Sequence, residues 1–319
     1  MYLIAAFLVA VVMTILFTPY VIKLAHKIGA TDSPNKRKVH SKVMPSMGGL
    51  AIFLSFIITV SIFMPGLSSS RTYTSIIVGA TLIIILGIFD DKFELSAKVK
   101  FLGQIVAALI IVVGGNIQVN FINTPFGDPI YFGYLAIPLT VIWIVGITNA
   151  INLIDGLDGL AAGVSTIALL TIAGMAVFKI GDMFVALIAL VLAGSTLGFL
   201  RFNFFPAKIF MGDTGAMFLG FMIAVLSLLG FKNVTVISLI IPIVILGVPI
   251  SDTFYAIVRR VLHKKPLSAP DKSHLHHCLL RLGYSHRKTV LLIYAMAASF
   301  GVAAFIFSMA TLWGAIFLI

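Results

Sequence analysis

The stretch NAINLIDGLDG (residues 149–159) places an amide or a carboxylate at every third position: Asn149, Asn152, Asp155 and Asp158. Apolar runs border it on both sides, at 134–150 and 160–178. Each run has the length of a bilayer-crossing helix, so the stretch reads as a very short polar turn between two membrane helices. An Asn/Asp/Gly cluster in such a place is commonly a solvated turn. Carboxylates at a membrane edge are costly, however, and point to function by default. Helical spacing spreads the four polar groups over about half a turn of helix surface, so one cavity can see several of them. Gly156 and Gly159 interrupt the helix and let a ligand approach the backbone.

The rest of the chain has the same character. Of its 319 residues 60% are hydrophobic and only 10% charged, and the mean hydropathy is +1.14. These values exclude a soluble globular enzyme and predict an all-α polytopic membrane protein, one integral-membrane domain over 1–319. Spans are expected near 3–22, 47–65, 73–89, 101–115, 134–151, 158–178, 183–200, 214–231, 235–258 and 288–307. An eleventh begins near Thr311 and stops at Ile319, short of a full crossing, as if truncated. The segment 1–22 reads as a span, since it lacks a basic start and a small-residue cleavage site. Pro242 and Pro249 predict kinks in the ninth span. Residues 116–133, with alternating Ile117, Val119 and Phe121 and turn formers Asn123, Pro125 and Gly127, predict a small external β-hairpin. No internal repeat of the kind many transporters carry is present.

Charge sets the orientation. The chain has 22 Lys and Arg; only Arg71, Lys179 and Lys232 fall on even-numbered loops. The bias places the odd loops in the cytoplasm and the N-terminus outside. The formal charge of +11 is therefore membrane topology, and no nucleic-acid partner is implied. Every histidine and every acidic residue except Asp128 and Asp182 lies on that same cytoplasmic face. Since acidic residues barely obey the charge rule, their clustering marks the working face. A transporter would instead spread carboxylates through the spans.

Four further segments on that face carry chemistry. The first loop has a basic run, Lys36-Arg37-Lys38, then Lys42 before the Pro-Ser-Met-Gly-Gly turn at 45–49. Lys42 is a candidate contact for anionic substrate or lipid headgroup, although plain positive-inside anchoring explains such runs too. Asp90 and Asp91 end the third span, where the helix dipole and their mutual repulsion both oppose them, so a divalent cation or a cationic neighbour is expected. Lys92, Lys98 and Lys100 follow and suit phosphate neutralisation. Asp213, in Phe210-Met-Gly-Asp-Thr-Gly215, suits a magnesium ligand, since Mg2+ takes few carboxylates and bridges to substrate phosphates; its bland alternative is a helix N-cap. Asn203 and Phe210 suit hydrogen bonding to, and stacking on, a flat base. The ninth loop holds Ser273-His-Leu-His-His277, with His274, His276, His277 and Arg281 suited to phosphate and sugar. Adjacent histidines without cysteine partners disfavour zinc. Asp252 reads as structural, paired with a neighbouring cation.

Taken together, the Pro45–Gly49 turn, Asp90-Asp91, residues 149–159, Phe210–Gly215 and Ser273–His277 occur in an order that resembles the polyprenyl-phosphate N-acetylhexosamine-1-phosphate transferases, the group of TagO, WecA and MraY. The resemblance covers essentially the whole chain. It implies transfer of an N-acetylhexosamine 1-phosphate from a UDP-sugar to undecaprenyl phosphate, with Mg2+, or Mn2+ in its place, and release of UMP. It implies Asp213 as metal ligand and Asp90, Asp91 and Asp155 as catalytic residues. It further implies Lys42, Lys98, Asn149, Asn152, Asp158, Asn203, Phe210, His274, His276, His277 and Arg281 as substrate-binding residues. The SHLHH form with Arg281 looks like the branch using UDP-N-acetylglucosamine rather than the muramoyl-pentapeptide branch. The first loop looks like the TagO type, which begins wall teichoic acid linkage units. A lipid bilayer setting and a homodimer follow as family expectations.

Overall fold

The structure, a computed structural model, describes residues 1–32, 43–122, 128–231, 236–264, 266, 271 and 273–309. The described helices are α1 (Tyr2–Ile28), α2 (Gly48–Phe63), α3 (Arg71–Phe93), α4 (Ala97–Leu109), α5 (Ala136–Ile154), α6 (Leu160–Met175), α7 (Met183–Asn203), α8 (Gly212–Phe231), α9 (Val236–Ile245), α10 (Gly247–Leu262), α11 (Leu275–Arg281) and α12 (His286–Met309). Wider π turns extend α4 through Ile110–Gly114 and α6 through Ala176–Ile180. Among the described residues eight helices have the length and composition to cross a membrane, and α2 is a shorter apolar helix. The chain is an all-helical, multi-pass membrane protein.

The expected hairpin is present as β3 (Phe121–Ile122) antiparallel to β4 (Ile130–Tyr131). Its turn, with Asn123, Pro125 and Gly127, lies outside the described residues. A second pair was not expected: β1 (Thr31–Asp32) pairs with β2 (Met44–Pro45) and closes the first loop against the helix ends. The ninth span departs from expectation more strongly. It is two helices, α9 and α10, broken at Leu246. The break sits between Pro242 inside α9 and Pro249 in the first turn of α10, positions where a ring is least damaging to the second helix and most damaging to continuation of the first. The partial eleventh span lies outside the described residues.

Helix α8 is central and packs against α3, α5, α2 and α6. Its neighbours approach closely because small residues face it. A Cβ on Gly49 of α2 would overlap the backbone at Thr214–Gly215, and one on Gly87 of α3 would lie 2.7 Å from the Thr214 nitrogen or nearer to its Cα. Most buried hydroxyls with a described partner find it inside the apolar layer, where water is not at hand, while those of Thr59, Ser165, Thr253 and Thr289 have none among the described residues. Thr14, Thr148, Thr166 and Thr196 each donate to the carbonyl four residues back, at 2.7–3.0 Å. Between helices, Ser55 donates to the Ala10 carbonyl at 2.8 Å and receives Ser195 at 3.2 Å. Ser70 and Asp182 cap α3 and α7. The ends of α1, α3, α5 and α7 and the start of α8 gather at one end of the bundle; the hairpin joins α4 to α5 at the other.

Candidate active site

At that gathered end the helix termini enclose a cavity of about 670 Å3, lined by Asp90, Asp91, Asn152, Asp155, Asp158, Asn203, Phe210 and Asp213 together with residues of the connecting loops. Helix α8 begins at Gly212, whose φ of +68° is open to glycine and strained for other residues. That turn presses the helix start against Asp91. The Asp91 carboxylate accepts the Asp213 and Thr214 backbone N–H groups at 2.9 and 3.3 Å, the Thr214 hydroxyl at 2.6 Å and the Ser46 hydroxyl at 3.1 Å. Asp91 therefore performs the capping role that a local reading would give to Asp213. The repulsion expected of two adjacent carboxylates is relieved by splitting their partners: Asp91 meets the positive end of α8, and Asp90 meets a lysine.

That lysine is Lys100. Its ammonium lies 2.9 Å from Asp90 Oδ2 and 3.3 Å from Asp213 Oδ2. Asp90 also accepts the Leu95 N–H at 2.7 Å, in the tight turn that Glu94 makes at φ +51°. The other Asp213 oxygen accepts the Asn152 side-chain amide. Asp213 keeps 31% of its side chain exposed, against 3% for Asp90, so of these two carboxylates Asp213 is the one more open to a ligand in the cavity. Among the described residues no three His, Cys, Asp or Glu side chains form a ready-made metal cage. One exposed carboxylate beside a side-chain amide is an oxygen-donor set that fits Mg2+, which keeps waters and shares substrate phosphates. Sequence reasoning grouped Lys100 with Lys92 and Lys98 for phosphate neutralisation but carried only Lys98 forward as a substrate-binding residue. Neither lysine is among the residues that line the cavity, but Lys98 is exposed whereas Lys100 reaches two of its carboxylates.

The 155–159 turn is tied to the loop after α7. Asp158 accepts the Ala207 N–H at 2.9 Å. Asn203, 3% exposed, accepts the Gly159 N–H at 3.1 Å and donates to the Ile209 carbonyl at 3.0 Å. Both residues line the cavity, and each uses these bonds to hold the two loops together. Tyr294 of α12 adds a hydrogen bond to the Gly159 carbonyl. Asp155 makes no side-chain hydrogen bond among the described residues; crowding by protein, then the charges of Asp213, Asp91 and Asp158, push its carboxyl up to about 8. Asn149 lies one turn below Asn152, away from the cavity, and donates to Gln104.

The histidine segment divides. His274 turns from the cavity to Asp252 of α10 (Nδ1 to Oδ2, 2.9 Å), which also accepts the Leu275 N–H at 2.8 Å. His276 is buried against Gly156, where no Cβ fits. His277 lines the cavity, as does His286, which the sequence reading did not single out. His286 stacks on Phe205 at 4.4 Å, and the ring nitrogens His276 Nε2, His277 Nδ1 and His286 Nε2 are buried without a hydrogen-bond partner among the described residues. Arg281 is exposed, donates to Cys278 Sγ at 3.2 Å and does not line the cavity. Lys42, with Lys36, Arg37 and Lys38, lies outside the described residues.

Burial, then the neighbouring His277 and His274, depress the His276 pKa to about 3. Between that value and about 6.5 the unfolded chain binds a proton here that the folded chain does not, so stability falls as pH drops through 6.5. The expected slope from this residue is about 1.4 kcal/mol per pH unit. Thermal inactivation in detergent at pH 7.5, 6.5 and 5.5 checks it: His276→Gln is expected to flatten the acid side of the profile, and an unchanged slope refutes the assignment.

Similarity to known proteins identifies the family. The family model described as glycosyl transferase family 4 matches residues 73–231. A Bacillus subtilis protein named as a probable undecaprenyl-phosphate N-acetylglucosaminyl 1-phosphate transferase is 53% identical over 99% of this chain and 88% of its own length. A Mycobacterium leprae decaprenyl-phosphate N-acetylglucosaminephosphotransferase is 37% identical over 94% of this chain and 83% of its own. An undecaprenyl-phosphate alpha-N-acetylglucosaminyl 1-phosphate transferase of Escherichia coli K12 is 28% identical over 91% and 81%. With its helices in place, its carboxylates gathered at one end and a relative matched along nearly its full length, the chain belongs to glycosyl transferase family 4 and is a membrane-embedded glycosyl-1-phosphate transferase.

Proposed function

We propose that the protein moves N-acetylglucosamine 1-phosphate from UDP-N-acetylglucosamine to undecaprenyl phosphate and releases UMP, with Mg2+ or Mn2+ held at Asp213. The observation that carries this reading is the bridge from Asp90 through Lys100 to Asp213 and Asn152 on a cavity at the helix ends. The activities named for the relatives support the substrate classes. The basic bias of the odd loops supports a cytoplasmic cavity, open to a soluble nucleotide sugar on one side and to lipid between helices on the other. The first-loop resemblance supports the wall teichoic acid linkage unit as the polymer begun.

In the reaction an oxygen of the lipid phosphate forms a bond to the phosphorus that carries the sugar. The bond from that phosphorus to the bridging oxygen breaks, and its electron pair leaves on UMP. Such transfers need alignment and charge neutralisation more than covalent help. The divalent cation, when bound, neutralises diphosphate charge and stabilises the departing UMP. Lys100 supplies a fixed positive charge between the two carboxylates and within reach of incoming phosphate. Asp90 is held by Lys100 and the Leu95 N–H, so it orients the site. A strong base is not required, since a phosphate monoester with a second pKa of about 6 is already largely a dianion at neutral pH. Phe210 offers a half-buried ring in the cavity wall for the flat base.

Purified protein in detergent with undecaprenyl phosphate and Mg2+ is expected to release UMP from UDP-N-acetylglucosamine and to lose that activity in Asp213→Ala. Release from the UDP-muramoyl-pentapeptide in its place would move the protein to the peptidoglycan branch. No release from either donor by folded protein would overturn the reading.

A further inference from the structure

Three helices that meet under the cavity each contribute polar or soft groups at one-turn spacing. Helix α4 contributes Lys100 and Gln104, α5 contributes Asn152 and Asn149, and α8 contributes Asp213 and Met217. The upper members form the reactive rung already described. The lower members form a second rung one turn deeper. Asn149 donates through Nδ2 to the Val145 carbonyl at 2.8 Å and to Gln104 Oε1 at 2.6 Å, and Gln104 Nε2 meets Met217 Sδ at 3.3 Å. Gln104 is 2% exposed and Met217 1%. The carbonyl of Val145 fixes the Asn149 amide orientation, which in turn requires an oxygen from Gln104 and turns its NH2 toward the sulfur. An amide pair in an apolar layer has no water to fall back on, so its geometry is strongly held.

We propose that Gln104 is a positioning residue of the active site: by clamping α4 to α5 and α8 one turn below, it sets the register at which Lys100 and Asn152 both converge on Asp213. The proposal rests on the transfer reading for its kinetic consequence but not for its metal-binding one. A partner that orients first-contact groups typically changes metal affinity or activity 10–100-fold when removed.

Gln104→Met keeps length and volume and removes the acceptor. Mn2+ titrated into the purified protein and followed by the electron paramagnetic resonance of the free ion is expected to show about tenfold weaker binding. UMP release is expected to fall about 10–30-fold in kcat with KM for undecaprenyl phosphate within about twofold. The swap Gln104→Asn with Asn149→Gln moves one methylene across the pair and restores its reach, so the double variant is expected to recover activity and Mn2+ affinity that either single change loses. Recovery supports the clamp even if Gln104→Met fails to fold. Unchanged Mn2+ affinity and rate in folded Gln104→Met, or a double variant no better than the worse single, overturns it. A wild type that binds Mn2+ yet releases no UMP removes the transfer reading and leaves the clamp to be judged on affinity alone.

Discussion

Lys100→Met is expected to lower UMP release by about two to three orders of magnitude in protein that still purifies as a folded membrane protein. The size follows from the place of the charge. Removing one preorganised group that stabilises developing charge costs about 10²–10³ in rate. Here the same group also separates two carboxylates, Asp90 at 2.9 Å and Asp213 at 3.3 Å. Without it they repel across the space that a phosphate must enter, and Asp213 loses one of its two anchors. Folding is spared because Lys100 keeps 27% of its side chain exposed and sits at the open end of α4. Lys100→Arg is expected to recover only part of the rate, since a planar fork replaces a point charge that serves two oxygens from different helices. Lys98→Met, two residues away, is the control and is expected to stay within about threefold. Rates measured by UMP release decide it: a Lys100→Met enzyme within threefold of wild type would remove the bridge from the mechanism.

Asp91→Ala is expected to lose both stability and activity. The carboxylate accepts four hydrogen bonds at the start of α8, from Ser46, Asp213 and Thr214. Removing a helix cap costs about 1 kcal/mol, and leaving further donors unpaired adds about 1 kcal/mol each, so a loss of about 2–4 kcal/mol is expected. The Asp213 backbone N–H is one of the orphaned donors, so the candidate metal ligand shifts with the helix start. Asp91→Asn separates positioning from chemistry. Its remaining oxygen, at the Oδ1 position, accepts the Asp213 N–H and the Ser46 hydroxyl, and its NH2, at the Oδ2 position, cannot accept from the Thr214 N–H or hydroxyl. It is therefore expected to retain a measurable fraction of activity with intermediate thermal stability. An Asp91→Asn protein as stable as wild type and wholly inactive would return Asp91 to direct chemistry.

Much of this site is written locally. The apolar runs, the 149–159 turn and the carboxylates at one end of the spans follow from hydrophobic length and from the cost of charge at a membrane edge. Partner identity does not. Asp90 and Asp91 are indistinguishable as sequence neighbours, yet one meets a lysine and the other a helix N-terminus, because successive helical residues point about 100° apart and face different helices. The same rotation explains the choice of Lys98 over Lys100: two residues apart on α4 they point about 200° apart, and only the packed phase of the helix selects one. Gln104 carried a usable signal, a polar residue one turn from Lys100 inside an apolar span. The break at Leu246 was foreshadowed by Pro242 and Pro249, but its position depends on how α10 turns Asp252 toward His274. The pairing of β1 with β2 had no alternating pattern to announce it.

The close approach of Gly49 and Gly87 to the start of α8 bears on how such an enzyme can diverge. At that side of the cavity backbone touches backbone, so any larger residue displaces Thr214 and, with it, Asp213. Steric exclusion alone therefore disfavours larger residues at these two positions. Another part of the lining, from Phe205 to Ala207 with His277 and His286, is built of loop and side chains. Descendants can retune what the cavity accepts there while the chemistry underneath stays fixed, so a lineage explores new donors through one wall and inherits the other.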